Sequence, residues 1–213
     1  VNYIENIFLC LTMPVLVAVF CVEQRRRPSL LFLLSGMTMC LISAYISTFF
    51  AGVLGADALS ATTNITPMVE EIMKLLPVLF DLLVFEPERR DAANGILMTA
   101  VGFATFENVC YLTTNGAADF LSLLIRGAGT GAMHIVCGLL MGLGLLAMWD
   151  VVWLKMAGTL ALMGLVATYH AIYNLLVNQT GAVAVIGFLL PLATIVAVTT
   201  LARNALREII RGP

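Results

Sequence analysis

Long apolar runs alternate with short polar connections along the whole chain. Seven runs approach the roughly 20 residues that a membrane-crossing helix needs: 3–22, 29–53, 66–85, 95–114, 120–147, 152–176 and 181–202. None alternates with period two, which argues against a β-barrel. Connections such as CVEQRRRPS, FEPERRDAAN and VNQTGA are too short to hold another domain, and no internal repeat or low-complexity segment interrupts the pattern. The chain therefore reads as an all-α polytopic membrane protein, one bundle of about seven transmembrane helices over residues 1–213. The first run lacks the basic start and small-residue cleavage site of a signal peptide, so it is expected to be a retained helix.

Composition sharpens the choice of solvent. Apolar residues make up 61% of the chain and charged residues 11%, with a mean hydropathy of +0.99. Soluble domains carry about 25% charged residues, so too few charges remain here to cover a water-facing surface. The net charge of −2 says little about partners; the distribution of charge says more. Arg25, Arg26, Arg27, Arg89, Arg90, Lys155, Arg203, Arg207 and Arg211 all fall on connections or ends of one parity, and the opposite connections hold no Lys or Arg. The positive-inside rule then predicts an outside N-terminus and a cytoplasmic C-terminus. Cys10, Cys21, Cys40, Cys110 and Cys137 lie in apolar runs without a CxxC pair and read as small core hydrophobes.

Against this background the ionisable residues inside the runs need a reason: Glu70, Glu71, Lys74, Asp81, Glu107, Arg126, His134 and His170. A charge at a helix centre costs about 2.5–3.5 kcal/mol on insertion scales. Pairing of Lys74 with Glu70 or Glu71 at helical spacing accounts for one carboxylate and leaves the rest unexplained. With Thr66-Pro67 read as the start of the third helix, the two glutamates lie about 6–8 Å below its outer end at 1.5 Å per residue. Glu107, His170 and Asn174 fall in the outer halves of their helices, His134 near the middle of its own, and Asp81 near the inner boundary, where it reads as structural. Phe103 with Glu107, His134 with Gly138, and His170 with Asn174 are i,i+4 pairs, each sharing one helix face. Glycines at 127, 129, 131, 138 and 142 flank His134 and would let a backbone or a substrate come close. Such a set suits a hydrolase. A proton- or ion-coupled transporter using the Glu/Lys/His cluster as a relay is the alternative.

Four ordered motifs carry a resemblance: EExxK at Glu70–Lys74, FxxxE at Phe103–Glu107, HxxxG at His134–Gly138 and HxxxN at His170–Asn174. Together they resemble the PrsW family of intramembrane proteases, distantly similar to the CAAX prenyl endopeptidases and bacteriocin-processing membrane proteases. The resemblance implies a catalytic core over residues 66–176 in a multi-pass protein of the bacterial plasma membrane. It implies a single-pass membrane protein as substrate, such as an anti-sigma factor cut on its extracytoplasmic side, and partners limited to that substrate and the lipid bilayer, with no nucleic acid. Carried over, Glu70 or Glu71 is the general base, with Glu70 preferred. Lys74 and the other glutamate set its ionisation and orientation. His170 and Asn174 donate to the oxyanion, and Glu107 and His134 position water or protonate the leaving amine. Phe103 and Gly138 support them. The CAAX enzymes have histidine where Glu107 stands, so the two mechanisms need not match in detail. Glutamate-type catalysis without a cofactor ranks ahead of zinc; if zinc is used, its ligands are expected among Glu71, Glu107, His134 and His170.

Overall fold

The computed structural model describes residues 3–116, 120–201, 204, 207, 209 and 210. The chain ends, Ala202, Arg203 and Arg211 lie outside the described residues, as does part of the connection after Gly116. Among the described residues there are seven long helices: α1 (Ile4–Cys21), α2 (Arg27–Leu54), α3 (Thr66–Val84), α4 (Arg89–Asn115), α5 (Phe120–Met148), α6 (Val152–Val177) and α7 (Ala182–Leu201). No strand occurs among the described residues. Six helices, all but α3, are long and apolar enough to cross a membrane by length and composition.

The remaining helix, α3, is inverted relative to a helix in water. Its inward face buries Glu70, Glu71, Lys74, Leu75, Val78 and Leu82, while Met68, Ile72, Leu76, Phe80 and Leu83 on the other side are exposed. A water-facing helix would do the reverse. An apolar outer face with charges turned inward is the arrangement hydrocarbon selects.

The start of α3 departs from the expected cap at Thr66. Thr66 is itself helical. The helical path begins at Ala58, capped by Asp57, whose Oδ1 accepts from the Ser60 amide at 2.7 Å, and runs through a π turn over Ala61–Ile65 into α3. Pro67 has no N–H to give the carbonyl four residues before it, and the wider π turn falls where that bond is missing. Glu70 therefore lies twelve residues along a helical path that begins at Ala58.

Within the bundle α5 is central. In its most apolar window 56% of residues are buried, against 11% in α1 and in α7. Several of its glycines serve helix packing. A Cβ at Gly138 would press on Ala100, and one at Gly142 on Ile96, both of α4. Of the backbone or substrate expected to come close beside His134, these two glycines admit a neighbouring helix, α4. The tightest seam joins α2 and α4, where a Cβ at Gly36 would run into the Thr99 carbonyl and one at Gly102 into the Leu33 carbonyl. The cysteine expectation needs a correction as well. Cys40 and Cys137 are buried, but Cys10 and Cys21 are exposed, because they lie on α1, the edge helix whose outer face needs only to be apolar.

One end of the bundle collects the basic connections. Glu23, Arg25, Arg26, Arg90, Asp91 and Ile210 line a single cavity there, and Arg89 bonds the Leu146 carbonyl at 2.7 Å and Asp150 at 2.5 Å. Between this end and the ionisable cluster lies an apolar plug that includes Leu75, Val78, Leu82, Ile96, Met141 and Leu145.

The α2–α4 seam makes a prediction. Gly102→Ala forces two backbones apart and should destabilise the chain by about 1–3 kcal/mol, the usual cost of overpacking. Gly52→Ala, with nothing within 4 Å, should be close to neutral. Thermal unfolding in detergent reads both; equal melting temperatures would mean that the seam is not tight.

Candidate active site

Helices α3, α4, α5 and α6 bring the motif residues together. Glu71 and Lys74 occupy neighbouring turns of α3, with Lys74 Nζ 2.7 Å from Glu71 Oε1. The same oxygen lies 2.8 Å from His170 Nδ1 on α6, and Lys74 Nζ lies 3.0 Å from His134 Nδ1 on α5. His134 Nε2 bonds Glu107 Oε2 on α4. The two imidazoles meet edge to face, 5.2 Å between centroids. Phe103, fully buried, walls the group, its ring 5.0 Å from that of His134 and 5.2 Å from Lys74 Nζ.

Donor and acceptor roles follow from what each group can offer. An ammonium has only protons to give, so His134 Nδ1 accepts from Lys74. A neutral ring then carries its proton on Nε2 and donates it to Glu107. Glu71, an anion beside Lys74, can only accept, so His170 Nδ1 donates to it. With its ring neutral, His170 keeps its lone pair on Nε2, which faces Glu70 Oε2 at 3.7 Å, too far for a hydrogen bond. Glu70 Oε2 is buried and has no hydrogen-bond partner. Two acceptors thus face each other across a gap, an arrangement that calls for a donor or a cation between them.

The gap opens onto a cavity of about 540 Å³ lined by Glu70, Glu107, Arg126, His170, Tyr173 and Asn174, among others. Asn174 donates one amide proton to the Thr62 carbonyl of the π turn at 2.9 Å, which ties α6 to the lead-in of α3. Glu71 and His134 stand behind this cavity wall, both buried. Asp81 sits near the other end of α3. Of the residues given no role from the sequence, Arg126 lies 3.6 Å from Glu107, and Tyr173 bonds Thr130 at 2.9 Å. An arginine inside an apolar run was signal enough to single out Arg126; nothing in the local pattern marked Tyr173.

The donor set bears on a metal. Glu70, His134 and His170 each offer a ligand atom, all within 4.8 Å of one another. The trio includes Glu70, where the sequence pointed to Glu71 and Glu107. Glu71 has its oxygen committed to Lys74 and His170, and Glu107 is committed to His134.

Breaking the buried pair should be costly. Glu71→Gln or Lys74→Met alone leaves a buried charge uncompensated and should destabilise by about 3–5 kcal/mol. The double variant, which removes both charges, should lose less than either single. Denaturant unfolding of the three variants tests this; losses that simply add would show that the pair does not act as a unit.

No curated protein and no solved structure matches the chain. The family described as PrsW family intramembrane metalloprotease matches residues 24–202, a stretch that holds all four motifs and every residue of the buried network. The chain is a multi-pass membrane protein and belongs to the PrsW family of intramembrane proteases.

Proposed function

We propose that this chain cuts a single-pass, membrane-tethered protein near its extracytoplasmic boundary, using a water activated by Glu70. The observation that carries the reading is the gap between Glu70 Oε2 and His170 Nε2. A water there donates to both acceptors at once. Glu70 takes one proton as the oxygen attacks the scissile carbonyl carbon. Asn174, with one amide N–H given to Thr62, has a second N–H to offer the oxyanion. Glu70 then returns the proton to the amine nitrogen as the C–N bond breaks. His170 keeps its proton on Nδ1, held by Glu71, and serves by orienting the water. That replaces the oxyanion-donor role expected from the motif. Glu107 lines the facing wall, with His134 buried behind it.

The chain's residues also fit a divalent ion. Glu70, His134 and His170 would hold it, and when bound it would supply a polarised, acidified water. Two of the three ligands are open, at Glu70 Oε2 and His170 Nε2. His134 would have to give up one of the two hydrogen bonds its ring makes, to Lys74 or to Glu107. That commitment keeps the metal-free reading ahead.

In the membrane, the reading places α3 as a seventh span with the basic end of the bundle in the cytoplasm, and the host as a bacterial plasma membrane. The apolar plug supports a hydrolase over a transporter, because it stands between the cluster and the basic end. An anti-sigma factor is the substrate class that fits the family resemblance.

Glu70→Gln should lower cleavage by about 10²-fold or more while leaving the fold intact. Mass spectrometry of wild-type fragments should place the cut at the substrate's outer membrane boundary. A fully active Glu70→Gln enzyme, or a cut in the cytoplasmic half of the substrate's span, would sink the proposal.

Metal content makes a separate test. Active purified protein should hold well under one zinc per chain, and strong chelators should leave most of its activity. Stoichiometric zinc, lost in Glu70→Gln and in His170→Ala and removed together with activity, would establish the ion-dependent reading instead.

A further inference from the structure

We infer that Arg126 is a positioning residue of this site, acting through Glu107 on His134. The inference rests on the active-site reading above and extends it to a residue outside the four motifs. Arg126 lies within the apolar run of α5, eight residues before His134 on the same helix. Glu107 bridges them: its Oε2 bonds His134 Nε2, and its Oε1 lies 3.6 Å from an Arg126 terminal nitrogen. One carboxylate therefore spans two points of α5 from the neighbouring helix α4.

Tyr111 completes the seat. The Arg126 guanidinium carbon sits 3.4 Å from the centroid of the Tyr111 ring, a stacked cation–π contact. Tyr111 follows Glu107 by four residues, so the ring and the carboxylate share one face of α4. A planar guanidinium is suited to satisfying both at once, with its face on the ring and its edge toward the carboxylate; an ammonium offers a point charge and no plane.

This seat has a consequence for His134. A carboxylate held by one hydrogen bond can rotate about its last torsion and swing toward the cavity that it lines with Glu70. There it would confront a second carboxylate. Arg126 draws the free oxygen away and offsets its charge, so that Glu107 remains an acceptor for His134 Nε2. Through Lys74, which His134 accepts from, the same contact reaches the Glu71–Lys74 pair. The competing role for an arginine that lines this cavity is binding a substrate carboxylate. The two roles separate cleanly, because the first is visible in the enzyme alone.

The chain has two histidines, which makes their ring nitrogens assignable. The test is nitrogen NMR of the full chain labelled with ¹⁵N-histidine, in wild type, Arg126→Gln and Arg126→Lys, with His170→Ala to assign the signals. In Arg126→Gln the His134 Nε2 resonance should shift and those of His170 should stay in place. Arg126→Lys should give an intermediate shift, and it carries the test alone should the glutamine variant not fold. In parallel, cleavage of a tagged single-pass segment that the wild type cuts should show kcat lowered by about 10- to 100-fold, the range for partners that orient a functional histidine, with KM within about twofold. His134 resonances unmoved in both variants would overturn the inference whatever the activity. So would a large rise in KM at constant kcat, which would assign Arg126 to substrate binding. Failure of the active-site reading is seen elsewhere, in a Glu70→Gln enzyme that still cleaves, and leaves the NMR result interpretable.

Discussion

Everything at the site depends on one oxygen atom. Glu71 Oε1 receives the Lys74 ammonium at 2.7 Å and the His170 Nδ1 proton at 2.8 Å. The first bond aims the ammonium's remaining protons, one of them at His134. The second sets the tautomer of His170. A single buried carboxylate thereby decides where both imidazoles carry their protons, and it does so from a position with no access to the cavity. Glu70, its neighbour in sequence, points to a different side of α3 and is left with an open oxygen. In the proposed mechanism the adjacent glutamates divide two incompatible jobs. An anion neutralised by two donors has little basicity to offer a water, and a free base cannot also anchor a lysine.

The medium makes this division affordable. In water, α3 would turn Glu70, Glu71 and Lys74 outward and lose them to solvent. Within an apolar surround the charged face has nowhere to go but inward, and the exposed row of Met68, Ile72, Leu76 and Phe80 can face hydrocarbon at no cost. The neighbouring helices must then supply every partner that water would have supplied, and α4, α5 and α6 each do. Close contact is a condition of that. Gly138 and Gly142 bring α5 against α4, and Gly36 and Gly102 bring α4 against α2.

Much of this was legible in the sequence and some was not, for identifiable reasons. The run at 29–53 became Arg27–Leu54 and that at 152–176 became Val152–Val177, since uninterrupted apolar length is read directly. The fourth helix begins at Arg89, before its apolar run at 95, because a solvated polar turn is helical without being hydrophobic. The lead-in to α3 was invisible for a similar reason: ATTNI has the composition of a loop, and only the contact from Asn174 to Thr62 shows what the π turn is doing. Glu70, Glu71, Lys74, Glu107, His134 and His170 were all singled out from their cost in hydrocarbon, and the structure brings all six together. What spacing could not decide was which glutamate faces which partner. Residues 70 and 71 differ by 100° around the helix, but the absolute direction depends on neighbours far away in the chain. The zinc set drawn from the sequence named Glu71 for that reason, whereas the converging trio contains Glu70.

The same geometry bears on why such a site lies toward one end of a bundle and not at its middle. Hydrolysis consumes a water for each bond cut, yet the network that tunes Glu70 is stable only where water is scarce, since bulk solvent would compete for each of its hydrogen bonds. The two demands are met at a boundary. Glu71, Lys74 and His134 are sealed behind the wall, between 0% and 5% exposed, while Glu70, His170 and Asn174 line an open cavity. Below them the Leu75–Val78–Leu82 side of α3 packs into the apolar core, so water admitted from the cavity end meets a dead end. A scissile segment reaching this cavity must arrive with its carbonyl unpaired, because a helical backbone has already committed it. The polar rim of Thr62, Thr66, Asn174 and Asn178 offers hydrogen bonds to such an unwound stretch. The substrate segment that fits the proposed reaction is therefore one that leaves its own helix at the membrane boundary, where water outside and side chains inside can together replace the bonds it gives up.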